Sequence, residues 1–196
     1  PKGIAFIGEV TDQTQLQSNW QANPPQLIHR AHFARAKKTE YELAAMRNAS
    51  QMGALGHNAA AQCFTDGGSE FDVHMAYLTA SAQNENELPY GNIVAQNENA
   101  AFLHYQLQKR ECAAVQHSLL IDAGGAFRGY ATDITRTYLK TDANATNETD
   151  SVFLELLERM QTHQDKLIAA IAPEQNYVAL QQLMHQQLAH ILVDTN

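Results

Sequence analysis

The chain has 196 residues, a length that suits one domain with a single core, or one domain with part of another. Thirteen basic against 21 acidic residues leave a formal net charge of −8, which argues against nucleic acid and anionic membrane surfaces as partners. No apolar run approaches the roughly 18–20 residues of a membrane span, and no charged-then-apolar leader opens the sequence. The cytoplasm is the expected compartment. Cys63 and Cys112 lack C-x-x-C spacing and read as reduced structural thiols there.

In chain order, Ile4 to Ile7 followed by Gly8 predicts a short strand, and a polar stretch then ends in Asn23-Pro24-Pro25, which reads as a breaker. Residues 1–33 are therefore assigned to the tail of an amino-terminal domain and its linker. Thr39-x-x-Glu42 is a capping box, so a long helix should run from there to about Phe64, where Asp66-Gly67-Gly68 stops it. Ser69 with Asp72 three positions later starts a second helix, through about Gln83. The acidic, Asn-rich run 84–87 is a loop. Strands are expected around Asn92–Gln96 and Ala101–Tyr105, and a hairpin over 118–139.

Two helices complete the pattern. Phe153, Leu156, Leu157, Met160, Leu167, Ile168 and Ile171 lie on one 3.6-period stripe, and Leu180, Leu183, Met184, Leu188, Ile191 and Leu192 repeat it. Helices over 151–171 and 177–193, separated by Pro173, should place these stripes in the core. Helices packed on one side of an antiparallel sheet make an α+β layer.

The hairpin carries the chemistry. Arg128-Gly129 between two runs of strand-type residues is a two-residue turn signal, and its register sets Phe127 against Tyr130 and Asp122 against Thr135. Side chains alternate along a strand, so Asp122 and Asp133 fall on one face as diagonal neighbours, roughly 7–8 Å apart. Spacing alone favours two solvated surface charges. Their apolar neighbours, Leu119 to Ile121 and Ile134, shift the balance, because charges set in apolar strands call for a partner. A hard divalent cation, or a pair of them, is the economical one.

LLIDAG (Leu119–Gly124) followed by YATDITRTY (Tyr130–Tyr138) resembles the first two metal-ligand segments of the pita-bread metallopeptidases, the aminopeptidase P, prolidase and methionine aminopeptidase family. The resemblance extends through PYGNIVAQNENAAFLHY (Pro89–Tyr105) and KKTEYELAAMRNASQM (Lys37–Met52), and within the family it points to bacterial Xaa-Pro dipeptidases and organophosphorus acid anhydrolases. It implies that residues 34–196 are the first half of a pita-bread domain. It also implies two divalent ions, commonly manganese, held by two Asp, one His and two Glu. Asp122 matches the aspartate that chelates one ion, and Asp133 the one that bridges both. His104 matches a histidine that contacts substrate or shuttles a proton beside the metals, and Tyr90 a tyrosine lining the substrate pocket. Read without the resemblance, His104 is an ordinary structural histidine. Thr135, on the same strand face, is a candidate hydroxyl to steady a carboxylate.

The family's histidine and glutamate ligands lie beyond its second aspartate, and no matching run follows Tyr138. His163, His185 and His190 sit in Gln-rich helical sequence that does not match. The expectation is a piece of a longer enzyme that by itself is inactive and holds metal weakly or not at all. A half-domain would leave apolar surface open to self-association or to a second fragment. The intact protein is expected to be a homodimer acting on small peptides, as a proline dipeptidase. The alternatives are a hydrolase of the same fold with another preference, either Xaa-Pro aminopeptidase or organophosphorus acid anhydrolase, and a metal-free pita-bread binding module.

Overall fold

The computed structural model describes residues 4–11, 19–140 and 148–194. The chain divides into two compact units, Pro1–Asn48 and Ala49–Asn196. In the first, strands β1 (Ile4–Phe6) and β2 (Trp20–Ala22) pair in parallel. Asn23 fastens their ends, accepting from Gly8 N at 3.0 Å and donating to Gly8 O at 2.7 Å. Helix α1 (Pro25–Ala36) follows, where the reading of residues 1–33 as tail and linker held no helix. Proline at the first helical position is pre-set for the helical φ and lacks only an N–H that would have no partner, so the Pro-Pro pair starts a helix and does not merely break the chain. No residue of α1 is buried, which explains why no apolar stripe announced it.

The capping box opens α2 (Glu40–Thr65) as expected. Thr39 N donates to Glu42 Oε2 at 2.6 Å, Glu42 N donates to Thr39 Oγ1 at 3.4 Å, and Arg35 pairs with the same carboxylate. Gly67, at φ +96°, supplies the left-handed residue that ends the helix. Ser69 and Asp72 then form a second capping box for α3 (Glu70–Ser81). Three strands, β3 (Ile93–Gln96), β4 (Ser118–Asp122) and β7 (Thr135–Leu139), make an antiparallel sheet in the order β3-β4-β7.

Alternation along β4 sorts the core. Leu119 and Ile121, with Val94 of β3, pack on Ala60 and Phe64 of α2 and on Val73, Tyr77 and Leu78 of α3. The valine, leucine, isoleucine and phenylalanine side chains among them each give about 1.5–3 kcal/mol when fully buried. Leu120 turns the other way and meets Ile93, Ala95 and Tyr105. β3 is buried along its whole length because both of its faces are covered.

Residues 101–105 do not form the expected strand. A 3₁₀ helix, Asn97–Ala101, is followed by turns that leave Phe102 and Leu103 exposed. The cause is the buried carboxylate of Glu70 in the first turn of α3. Its Oε1 accepts from Gln96 N (2.9 Å) and Asn99 Nδ2 (2.7 Å), and its Oε2 from Tyr105 Oη (2.7 Å) and Lys109 N (2.8 Å). Gathering four donors around one side chain wraps the segment into a loop, since an unsatisfied buried charge is far costlier than a lost strand.

Helices α4 (Glu148–Ala169) and α5 (Tyr177–Asp194) form where their stripes predict them, but the stripes are not core. Met160, Ile168, Ile171 and Leu192 are exposed, and only Ile191 of the predicted positions is fully buried. The two helices pack on each other and α4 packs on β7, which covers only part of each apolar face. Buried between them, His163 Nδ1 donates to Gln187 Oε1 at 2.6 Å.

Candidate metal centre

The hairpin register is the expected one throughout. Asp122 pairs with Thr135 across β4 and β7, and Phe127 with Tyr130 across β5 (Ala126–Phe127) and β6 (Tyr130–Ala131). Arg128 (φ +51°) and Gly129 (φ +81°) make the turn, both in the left-handed region that such tight hairpins require. The ladder is interrupted in the middle, over 123–125 and 132–134, although Ala123 N still donates to Ile134 O at 3.0 Å and Thr132 N to Gly125 O at 2.8 Å.

The two aspartates flank this interruption and point to the same place. Tyr90 Oη lies 2.7 Å from Asp122 Oδ1 and 3.2 Å from Asp133 Oδ1, so the two carboxylate oxygens are no further apart than those distances together. One phenol carries one proton, and the shorter contact receives it. Ile134 N donates to the same Tyr90 oxygen at 3.4 Å. Burial, and next the hydrogen bond to Asp122, push the Tyr90 phenol well above its ordinary range, so it keeps its proton. Asp122 is half-buried and Asp133 is exposed, so the apolar setting expected for both holds only for the first.

The segment that delivers Tyr90 is itself anchored. His74, buried on α3, lies 3.0 Å from Glu85 Oε2 through Nε2 and 3.4 Å from Asn92 Nδ2 through Nδ1, which ties both ends of the 85–92 connection to one ring. Gly124 and Gly125 allow the close packing at the interruption. A Cβ on Gly124 would lie 2.1 Å from Thr132 O, and one on Gly125 2.3 Å from Ala49 O.

Two buried residues that sequence reasoning passed over hold the same backbone. His57 of α2, 4% exposed, places Nε2 3.0 Å from Ala123 O, which puts the ring proton on Nε2. Gln83 accepts from Ala126 N at 2.7 Å and donates to Gly124 O at 3.4 Å. His57 shares the α2 face of Ala60 and Phe64, so a lone histidine on an apolar stripe was its only signal. Gln83 had none. Thr132 Oγ1 accepts from Gly125 N at 3.0 Å, and this is the threonine that braces the turn. Thr135 forms no hydrogen bond to either carboxylate among the described residues.

His104 sits exposed in the turn before Tyr105, and no described hydrogen bond joins it to the aspartates. The structure thus joins Asp122, Asp133 and Tyr90 through hydrogen bonds that do not include His104. Among the described residues no lysine, arginine or histidine forms an ion pair with either aspartate, and no third His, Cys, Asp or Glu completes a metal-holding group. The donors are hard, anionic and convergent, which in kind fits a hard divalent ion and supplies part of its shell.

Known proteins match this chain in sequence and in fold. Residues 44–192 match metallopeptidase family M24. The Xaa-Pro dipeptidase of Shewanella woodyi is 46% identical over 190 residues, covering 97% of this chain and 42% of that protein. The Xaa-Pro dipeptidase of Pseudoalteromonas haloplanktis is 43% identical over 191 residues, with the same coverage. Escherichia coli aminopeptidase P with the inhibitor Pro-Leu superposes with a TM-score of 0.65 at 22% identity, over 80% of this chain and 35% of that one. The zinc-substituted form of that enzyme with product gives 0.62 at 23% identity, over 80% and 34%. The helices and antiparallel sheet are therefore part of an aminopeptidase P-like, pita-bread fold. The chain spans about 42% of the length of the curated relatives it matches.

Proposed function

This chain belongs to metallopeptidase family M24, and on that premise we propose that the full-length protein hydrolyses Xaa-Pro dipeptides at a pair of divalent ions, manganese by preference. The observation that carries the reading is the convergence of Asp122 and Asp133 on a single hydroxyl. Relatives at 43–46% identity that are Xaa-Pro dipeptidases support the substrate class. When bound, the ions supply a nucleophile at neutral pH and a Lewis acid for the scissile carbonyl.

The chain's own residues do the rest. Asp122 and Asp133 would hold the ions through their carboxylates, as the family resemblance implies. Tyr90 keeps its proton, aligns the two carboxylates and lines the substrate pocket. His104, exposed on its turn, contacts the substrate or shuttles a proton. Residues 1–33 close an amino-terminal domain and its linker, and 34–196 form the first half of the catalytic domain. The whole protein works as a homodimer in the cytoplasm.

Asp133→Asn in the full-length protein tests the centre, because it removes a bridging anion and almost no volume. Xaa-Pro dipeptide hydrolysis should vanish while circular dichroism stays unchanged, and unaltered turnover at saturating manganese would refute the assignment. A dominant rate on longer Xaa-Pro peptides would overturn the dipeptidase specificity and leave the metal centre standing.

A further inference from the structure

His57 occupies an unusual place relative to the two carboxylates. Its ring lies behind the hairpin interruption, with Nε2 on the carbonyl of Ala123, the residue that follows Asp122. The carbonyl of Ile134, which follows Asp133, accepts from Ala123 N at 3.0 Å. One side chain on α2 therefore holds the carbonyl of the residue that follows Asp122, and the N–H of that same residue is bonded to the residue that follows Asp133. The ring is fixed from behind by Tyr77, edge to face at 5.6 Å and 89°, and its Nδ1 is buried with no hydrogen-bond partner. Burial holds His57 below the ordinary histidine value, against the pull of the Ala123 carbonyl, so the neutral ring with its proton on Nε2 is the form present at neutral pH.

The Nε2 hydrogen bond is committed to the connector that sets where Asp122 lies relative to Asp133. Gln83 secures the next peptide groups, Gly124 O and Ala126 N, from the end of α3. A regular ladder would satisfy these groups itself. The interruption leaves them to side chains, one from α2 and one from the residue just past the C-cap of α3.

We propose that His57 is a positioning residue for the Asp122–Asp133 pair, acting with Gln83 to hold the 123–126 connector so that both carboxylates face one cation position. The inference rests on the metal-centre reading above. Groups that orient metal ligands from behind typically change metal affinity 10–100-fold when removed.

The test is a titration of the full-length protein with Mn²⁺, following free aqueous Mn²⁺ by electron paramagnetic resonance, with melting temperatures measured in parallel. His57→Leu should weaken Mn²⁺ binding about tenfold or more, and His57→Gln, which can still donate to Ala123 O, should restore it to within about threefold. Gln83→Met, matched in size but unable to bond the connector, should also weaken binding, and it decides the matter if His57→Leu does not fold. A lower melting temperature with unchanged Mn²⁺ affinity in the leucine and methionine variants would make both residues merely structural and overturn the proposal, as would a glutamine variant no better than leucine. Asp122→Asn is the control. If it leaves Mn²⁺ binding intact, the metal centre itself is wrong. If it abolishes binding while His57→Leu and Gln83→Met do not, only the positioning role falls.

Discussion

Replacing Gly125 by alanine would put a methyl carbon 2.3 Å from the Ala49 carbonyl oxygen and 2.9 Å from Gly53 N, both on the backbone of α2. Neither atom can swing aside as a side-chain tip could, so α2 and the hairpin must separate. Overpacking of this kind costs about 3 kcal/mol. For a chain of this size that is a fall of roughly 6–12 °C in melting temperature. Gly129 provides the contrast. A Cβ there meets nothing within 4 Å, but φ is +81°. Its alanine variant bears only the left-handed backbone cost, about 1–2 kcal/mol. Thermal and urea unfolding of the two variants beside wild type separates crowding from backbone strain. If Gly125→Ala is no less stable than Gly129→Ala, the close contact between α2 and the connector does not exist, and the geometry assigned to the candidate centre fails with it.

Other outcomes follow from polar groups the fold depends on. Glu70→Gln leaves one oxygen to serve four donors and turns an amide N–H₂ toward the rest, so a loss of about 2–4 kcal/mol is expected. A loss under about 1 kcal/mol in urea unfolding would show that the loop over 96–109 does not depend on that carboxylate. Asp72 is held below the ordinary carboxylate value of 3.8 by the Ser69 hydroxyl and then the Ser69 N–H. A folded value below the unfolded one gives stability that is present above pH 3.8 and is lost as pH falls through the lowered value. Asp72→Asn should therefore cost about 0.5 kcal/mol at neutral pH, a small figure because the cap is solvent-exposed, and the gap to wild type should close in acid. A gap that does not change with pH would refute the role of the charge.

Local rules made much of this protein legible. Thr39 with Glu42 and Ser69 with Asp72 mark where α2 and α3 start, because a cap is chemistry between residues three apart. Arg128-Gly129 determined the register on both sides of the interruption, Ser118–Asp122 against Thr135–Leu139 and Ala126–Phe127 against Tyr130–Ala131, because a two-residue turn leaves one register, and that register put Asp122 and Asp133 on one face. Tertiary structure decided what lies beyond local reach. Residues 101–105 have the composition of a strand, but a carboxylate on α3 gathers their neighbours into a loop. The stripes of α4 and α5 foretell helices and say nothing of what covers them, since periodicity records a face and not its partner. Tyr90 meets both aspartates only because helix, loop and sheet are assembled, and the same holds for His57 beneath the hairpin. Sequence specified the carboxylates and their side of the ribbon, while packing specified the distance between them, because that distance depends on side chains remote in sequence that hold the backbone of the connector.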